Sequence, residues 1–309
     1  MSFKNFDFKS PRGTNIVGYK WENNNPKFTV QLVHGMNEHA GRYDEFAQFL
    51  VKNGGVVYAN DHIGFGKTAG DISNVGHMAD ENGMEKAADD ILVLNQIIKS
   101  ENPNLKTIVL GHSLGSFLTR LAFIKTSEFS DLQIYTGTGA DPEFKGRVGL
   151  LIVKILKLFG SKKRSKFLNK VLFDEFNKPF KPAKTPFDSL TRDEKIVEEY
   201  MNDPLCTQIP SVQFFYDMAK LSIFVNKKEN ILKTDLSKPV LFVSGSMCPV
   251  GDFGKGITKL YNNYKKYGVN DVELKLYKDA RHEILNEINR DEVYQDILDW
   301  INLKLNKTK

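Results

Sequence analysis

Residues 107–110 form a short apolar segment that runs directly into Gly111-His112-Ser113-Leu114-Gly115, and a helix-like stretch follows at 114–126. A buried strand, a G-x-S-x-G turn and a helix, in that order, are what a nucleophile elbow requires. The serine must sit in a strained backbone conformation, which leaves no room for side chains two residues to either side. The two glycines therefore answer a physical need. The pattern implies a serine hydrolase, or a protein descended from one.

The chain has 309 residues, enough for one large α/β domain with an insertion. No apolar run reaches the roughly 18 residues a membrane span needs. The first residues, Met1-Ser2-Phe3-Lys4-Asn5-Phe6-Asp7, lack the continuous apolar stretch of a signal peptide. Cys206 and Cys248 are the only two cysteines, which speaks against a disulfide framework and for a reducing, cytoplasmic setting. Charge is unevenly placed. Between Lys145 and Lys184 there are twelve basic and two acidic residues, an excess of ten positive charges in a chain whose net charge is +5. An anionic surface partner and a merely solvated helical face both account for such an excess.

Apolar runs at 6–9, 16–21, 28–33, 56–59, 107–110, 133–135, 240–244 and 272–277 read as strands, the first two as a hairpin around Pro11-Arg12-Gly13. Helical spacing at 84–99, 114–126 and 292–306 alternates with them, which implies a mostly parallel sheet flanked by helices. The alternation breaks between Ala140 and about Pro210. That stretch is basic and helical, and carries Leu150-Leu151-Ile152-Val153 with Ile155, Leu156, Leu158 and Phe159. An insertion there, above the carboxyl ends of the strands, would cap a binding site. The expected organisation is a core at 1–140 and 211–309 with a helical cap at 141–210.

A serine hydroxyl needs a base, a group that orients the base, and an oxyanion hole. His282, in Asp279-Ala280-Arg281-His282-Glu283 just after the last strand, is the expected base, because serine before histidine is the order of this elbow class. His112 is expected to pack beside the serine. His34, His39 and His62 read as scaffold or pocket-rim residues, and His77 has no assigned role. The oxyanion donors should be the backbone N–H groups of Leu114 and of Met36, which follows the strand ending at His34-Gly35. The motifs contain no ligand cluster with metal spacing, so no metal or cofactor is expected; nor is a nucleic-acid partner.

Several segments together resemble one family. His34-Gly35-Met36-Asn37-Glu38-His39 with Arg42-Tyr43 is similar to the H-G-x-x-E-H-x-x-R-Y segment of monoacylglycerol lipases and bacterial lysophospholipase-like hydrolases. Asp61-His62-Ile63-Gly64-Phe65-Gly66 resembles their D-x-x-G-x-G segment. Gly111 to Gly115, Asn202-Asp203-Pro204-Leu205-Cys206 and Arg281-His282-Glu283 match in the same order, from about residue 15 to 300. The resemblance implies an α/β-hydrolase fold, and hydrolysis of carboxylic esters with one acyl chain, monoacylglycerol or lysophospholipid.

The resemblance also implies a triad acid in a G-x-x-D-P-V-G-like segment. This chain reads Gly245-Ser246-Met247-Cys248-Pro249-Val250-Gly251, with cysteine where the aspartate belongs. Three readings follow: Asp252 substitutes, Asp141 serves from another direction, or the site works as a weakened dyad or not at all. In the last case the chain would be a lipid- or ester-binding protein on a hydrolase scaffold. Acyl transfer to an alcohol is a further enzymatic alternative. The basic, apolar cap would bring the protein to anionic membrane surfaces, peripherally.

Overall fold

The computed structural model of the protein describes residues 3–307; the outermost positions of the expected core segments, 1–2 and 308–309, lie outside the described residues. Eight strands form one sheet: β1 (Lys4–Lys9), β2 (Asn15–Trp21), β3 (Phe28–Val33), β4 (Gly55–Asn60), β5 (Thr107–His112), β6 (Leu132–Thr136), β7 (Val240–Gly245) and β8 (Val272–Tyr277), in the order β1-β2-β4-β3-β5-β6-β7-β8. β1 pairs antiparallel with β2, and β2 with β4. All later pairings are parallel. The hairpin and every strand read from the sequence are present. β3, β4, β5, β6 and β7 are buried along their whole length, because helices cover both faces of a parallel sheet.

Helices α1 (Asp44–Lys52), α2 (Gly83–Glu101) and α3 (Leu114–Lys125) lie between the early strands. α1, which the sequence reading did not assign, buries Phe46, Ala47 and Leu50 in a core shared with Trp21, Leu32, Tyr294 and Trp300. α2 and α3 bury Ile91, Leu118 and Leu121 in the core of the opposite face. Between β6 and β7 run α4 (Glu143–Lys157), α5 (Lys166–Asn177), α6 (Glu194–Asn202), α7 (Val212–Phe224) and the short α8 (Lys228–Ile231). α4 packs on α7, which in turn packs on α2 and α3. α9 (Lys255–Lys266), also new relative to the sequence reading, and α10 (Arg290–Lys307) complete the chain.

The apolar run of α4 does not form a core. Val153 is buried, whereas Phe144, Leu151, Ile152, Ile155, Leu158 and Phe159 are exposed, Leu158 by 83% and Phe159 by 69%. No helix among the described residues is long and apolar enough to cross a membrane.

Candidate active site

Ser113 stands between the end of β5 and the start of α3 with φ 51° and ψ −121°. Its N–H donates to the Thr136 carbonyl at the end of β6 (2.9 Å), which ties the elbow to the neighbouring strand. The close packing explains the second glycine of the motif: a Cβ on Gly115 would press into the Val33 and His34 carbonyl oxygens of β3 and its loop. Leu114 is the first residue of α3, so its N–H has no carbonyl a turn earlier to bond. Met36 lies in the loop after β3, whose Gly35 sits so near the elbow that a Cβ there would come 3.1 Å from the Ser113 Cβ.

The loop after β8 brings His282 to this elbow. His282 Nε2 is 2.9 Å from Ser113 Oγ. On the other side of the ring, Nδ1 is 3.2 Å from Cys248 Sγ, which is fully buried in the loop after β7. Ser113, His282 and Cys248 thus form one continuous chain of contacts at the carboxyl ends of parallel strands, where open α/β sheets hold their ligands. The segment between β6 and β7 meets the same loop. The Ser189 carbonyl accepts from the His282 N–H (3.2 Å), and the Leu190 carbonyl from the Glu283 N–H (2.6 Å).

The two aspartates considered as replacement acids are placed elsewhere. Asp252 is exposed, at φ 47°, in a turn whose Asp252 N–H donates to the Pro249 carbonyl; that turn carries its side chain out to solvent, while Cys248 takes the place beside the ring. Asp141 accepts two hydrogen bonds from Arg147 of α4 (2.8 and 2.9 Å) and one from the Glu143 N–H, a local arrangement at the start of that helix.

Buried charges brace the site from below. Glu38 accepts from the Gly35 N–H, from Tyr43 Oη (2.9 Å) and from Arg42 (3.0 Å), and Arg42 donates twice to Glu283 (2.8 Å each). Burial disfavours the Glu283 carboxylate, but Arg42 outweighs it and holds the group down to about 2. His39 Nε2 lies 2.8 Å from Asp203 Oδ2, which joins the His34–Tyr43 motif to the Asn202–Cys206 motif. In the sequence, His39 reads as a scaffold or pocket-rim residue, and Glu38, Arg42, Asp203 and Glu283 appear only as members of motifs whose mutual contacts the order of residues does not reveal.

Burial keeps three of the remaining histidines, His34, His62 and His112, neutral. His34 Nδ1 donates to the Gly35 carbonyl (2.8 Å), leaving Nε2 to accept from the His62 N–H (3.0 Å). Burial depresses His34 well below its ordinary value and brings His62 and His112 down to about 4. His112, expected beside the serine, packs against His282 with ring centroids 4.8 Å apart. His77 lies 2.9 Å from Ser211 Oγ and 3.1 Å from Asp80. His39, Asp203 and Cys206 bring three donor atoms within 4.8 Å of one another, but the first two already pair with each other, so the cluster is complete as a hydrogen-bonded unit.

A family model described as serine aminopeptidase, S33, matches residues 24–289. The chain belongs to this serine hydrolase family. Among its relatives, the monoacylglycerol lipase of Mycolicibacterium smegmatis is 26% identical over 300 residues, covering 95% of each chain. The monoglyceride lipase of Rattus norvegicus is 26% identical over 284 residues, covering 91% of this chain and 84% of the rat protein. A thermostable carboxyl esterase from Bacillus coagulans, solved with glycerol, superposes with a TM-score of 0.90 at 30% identity and covers 98% of both chains. A soluble variant of the Saccharomyces cerevisiae monoglyceride lipase shares the fold, with a TM-score of 0.76 at 20% identity and coverage of 97% of this chain and 94% of the yeast protein. The S33 chain described here therefore has the α/β-hydrolase fold that its motifs implied.

Proposed function

We propose that this protein hydrolyses carboxylic esters of single-acyl-chain lipids, monoacylglycerol or lysophospholipid, through an acyl-enzyme on Ser113. The observation that carries the reading is the 2.9 Å contact between Ser113 Oγ, on a strained elbow, and His282 Nε2. Lipases that act on monoacylglycerol, among the relatives aligned along most of the chain, support the substrate class. In this mechanism His282 Nε2 takes the proton as Ser113 Oγ bonds to the ester carbonyl carbon. The carbonyl oxygen becomes an oxyanion facing the Leu114 and Met36 N–H groups. As the tetrahedral species collapses, the bond to the alcohol oxygen breaks and His282 returns its proton to that oxygen. Water, deprotonated by His282, then attacks the acyl carbon and frees Ser113 and the fatty acid.

Substrates of this kind gather in membranes and micelles. Exposed Phe144, Leu151, Ile155, Leu158 and Phe159 lie among Lys145, Arg147, Lys154, Lys157, Lys162 and Lys163, which suits peripheral docking on an anionic lipid surface. In this reading residues 141–210 act as the cap that collects lipid and the rest as the hydrolase core. Both cysteines are free, in keeping with work in the cytoplasm.

The test is fluorophosphonate labelling beside assays on p-nitrophenyl esters of rising chain length, a monoacylglycerol and a matched amide. Labelling of Ser113, lost in Ser113→Ala and His282→Ala, with turnover of esters over the amide, is the expected result. An unlabelled wild-type protein would instead favour an ester-binding protein on a hydrolase scaffold.

A further inference from the structure

Resting on the hydrolase reading above, we propose that Cys248 acts as a thiolate that positions His282, so that the site reaches full activity once the Cys248–His282 pair has released one proton.

The argument begins with what surrounds the sulfur. Cys248 Sγ is buried and 3.2 Å from His282 Nδ1. The backbone N–H groups of Gly251 and Val250, in the same loop, favour the charged form of the sulfur. An imidazole nitrogen that donates in its useful tautomer thus meets a buried sulfur whose loop also favours negative charge. Such a cradle suits an acceptor with no proton of its own. It is the environment a carboxylate would find at this register of the loop, occupied here by sulfur.

Proton placement then decides whether His282 can act. If the thiol keeps its proton and donates it to Nδ1, the ring must carry its other proton on Nε2. That proton points at Ser113 Oγ, 2.9 Å away, and the ring cannot accept from the serine. If the proton moves from sulfur to Nδ1 while Nε2 remains protonated, the ring is an imidazolium and again cannot accept. A third arrangement, with S–H turned aside and Nδ1–H donating to the thiol sulfur, frees the Nε2 lone pair but places no negative charge against the imidazolium that forms as the serine proton is taken. Loss of one proton from the pair, leaving S⁻ against Nδ1–H and a free Nε2 lone pair, supplies both the base and its counter-charge. A carboxylate avoids the first state, since it is ionised throughout the neutral range.

The neighbours favour the charged sulfur. Burial opposes the thiolate, while His282 and the Gly251 and Val250 N–H groups together outweigh it, so the thiol lies below its ordinary value. The other groups around the pair do not compete. His112, packed on His282 from the elbow side, is kept neutral by burial. The Glu283 carboxylate, next in sequence to the base, is neutralised by Arg42. Asp252, in the turn after Cys248, is exposed.

The experiment compares wild type, Cys248→Asp, Cys248→Ser and Cys248→Ala across pH. It measures kcat and KM on a soluble p-nitrophenyl ester, the rate of fluorophosphonate labelling at Ser113, and thiolate absorbance in the far ultraviolet. Cys206 is present in all four proteins, so the wild type minus Cys248→Ala difference spectrum reports Cys248 alone. We expect that difference to show a thiolate appearing over the same pH range as the rise in activity. Cys248→Ala and Cys248→Ser should lose on the order of 10² in kcat with little change in KM. Cys248→Asp should recover activity with its ascending pH limb moved to lower pH, because its acid is ionised before the imidazole is. Cys248→Asp also guards against misfolding: its recovered activity would show that the loop tolerates substitution. Labelled Ser113 with unchanged kcat and pH profile in Cys248→Ala, and no thiolate signal, would overturn the assignment and leave the hydrolase reading standing. A wild type unlabelled at every pH would overturn the hydrolase reading, and this assignment with it.

Discussion

Arg42 donates two hydrogen bonds to Glu283, each 2.8 Å, and so clamps the loop after β3 to the loop that carries His282. The same guanidinium meets Glu38, whose other oxygen holds the Gly35 N–H beside the elbow. One largely buried cation thus ties the loop that holds Gly35 and Met36 to the loop that holds His282. Removing it would leave two buried carboxylates facing each other. Arg42→Ala should therefore cost about 3–5 kcal/mol in stability and slow Ser113 labelling even under conditions where the variant stays folded. Denaturant titration and labelling rates check both parts; a stable, fully reactive Arg42→Ala would refute the clamp.

The buried histidines predict how stability responds to pH. His62 and His112 both fall to about 4 in the folded protein, against 6.5 in an unfolded chain. Between those values the unfolded state binds more protons, so stability is present above pH 6.5 and is lost as pH falls toward 4. Each histidine should remove about 2 kcal/mol between pH 7 and pH 5. Urea midpoints at several pH values should fall steeply through this window, and His62→Gln should make the slope shallower.

Gly115→Ala should test the elbow's packing. Its Cβ would meet the Val33 and His34 carbonyl oxygens, backbone atoms that cannot swing aside. The loop after β3 and the serine must then separate. A loss of at least about 10² in kcat/KM is expected, since displacing one oxyanion donor costs that much. Wild-type kinetics in the Gly115→Ala variant would mean that the loop after β3 does not take part.

Docking through α4 makes a separable prediction. Leu158→Asp with Phe159→Asp places charge on two exposed apolar residues just past the end of α4. Vesicle co-sedimentation should rise with anionic lipid, fall with added salt and collapse in this double variant. Hydrolysis of a short soluble ester should not change. Equal binding of the wild type to neutral and anionic vesicles would remove the electrostatic half of the proposal.

The sequence by itself determined the elbow, the order of serine and histidine, the strands of the sheet and the interruption after β6. These are local matters. A G-x-S-x-G turn, an apolar run or a break in alternation is specified by residues a few positions apart, and its backbone geometry follows from them. The register of Pro249-Val250-Gly251 likewise marked Cys248 as the residue standing where an acid belongs. What the sequence left open was which side chain meets His282. Cys248 and Asp252 are four residues apart, and only the turn between them decides that one faces the ring and the other solvent. The Arg42–Glu283 pair spans 241 positions, and His39–Asp203 spans 164. No local propensity encodes contacts at such distances; they exist because the strand order brings separate loops to the same edge of the sheet. The apolar stretch of α4 is the same lesson in reverse. Its composition matches a core helix, yet the fold supplies a partner for only one side of it, and Val153 is buried while Leu158 and Phe159 meet solvent. Burial belongs to the assembled chain, since it depends on what packs opposite a residue as well as on the residue itself.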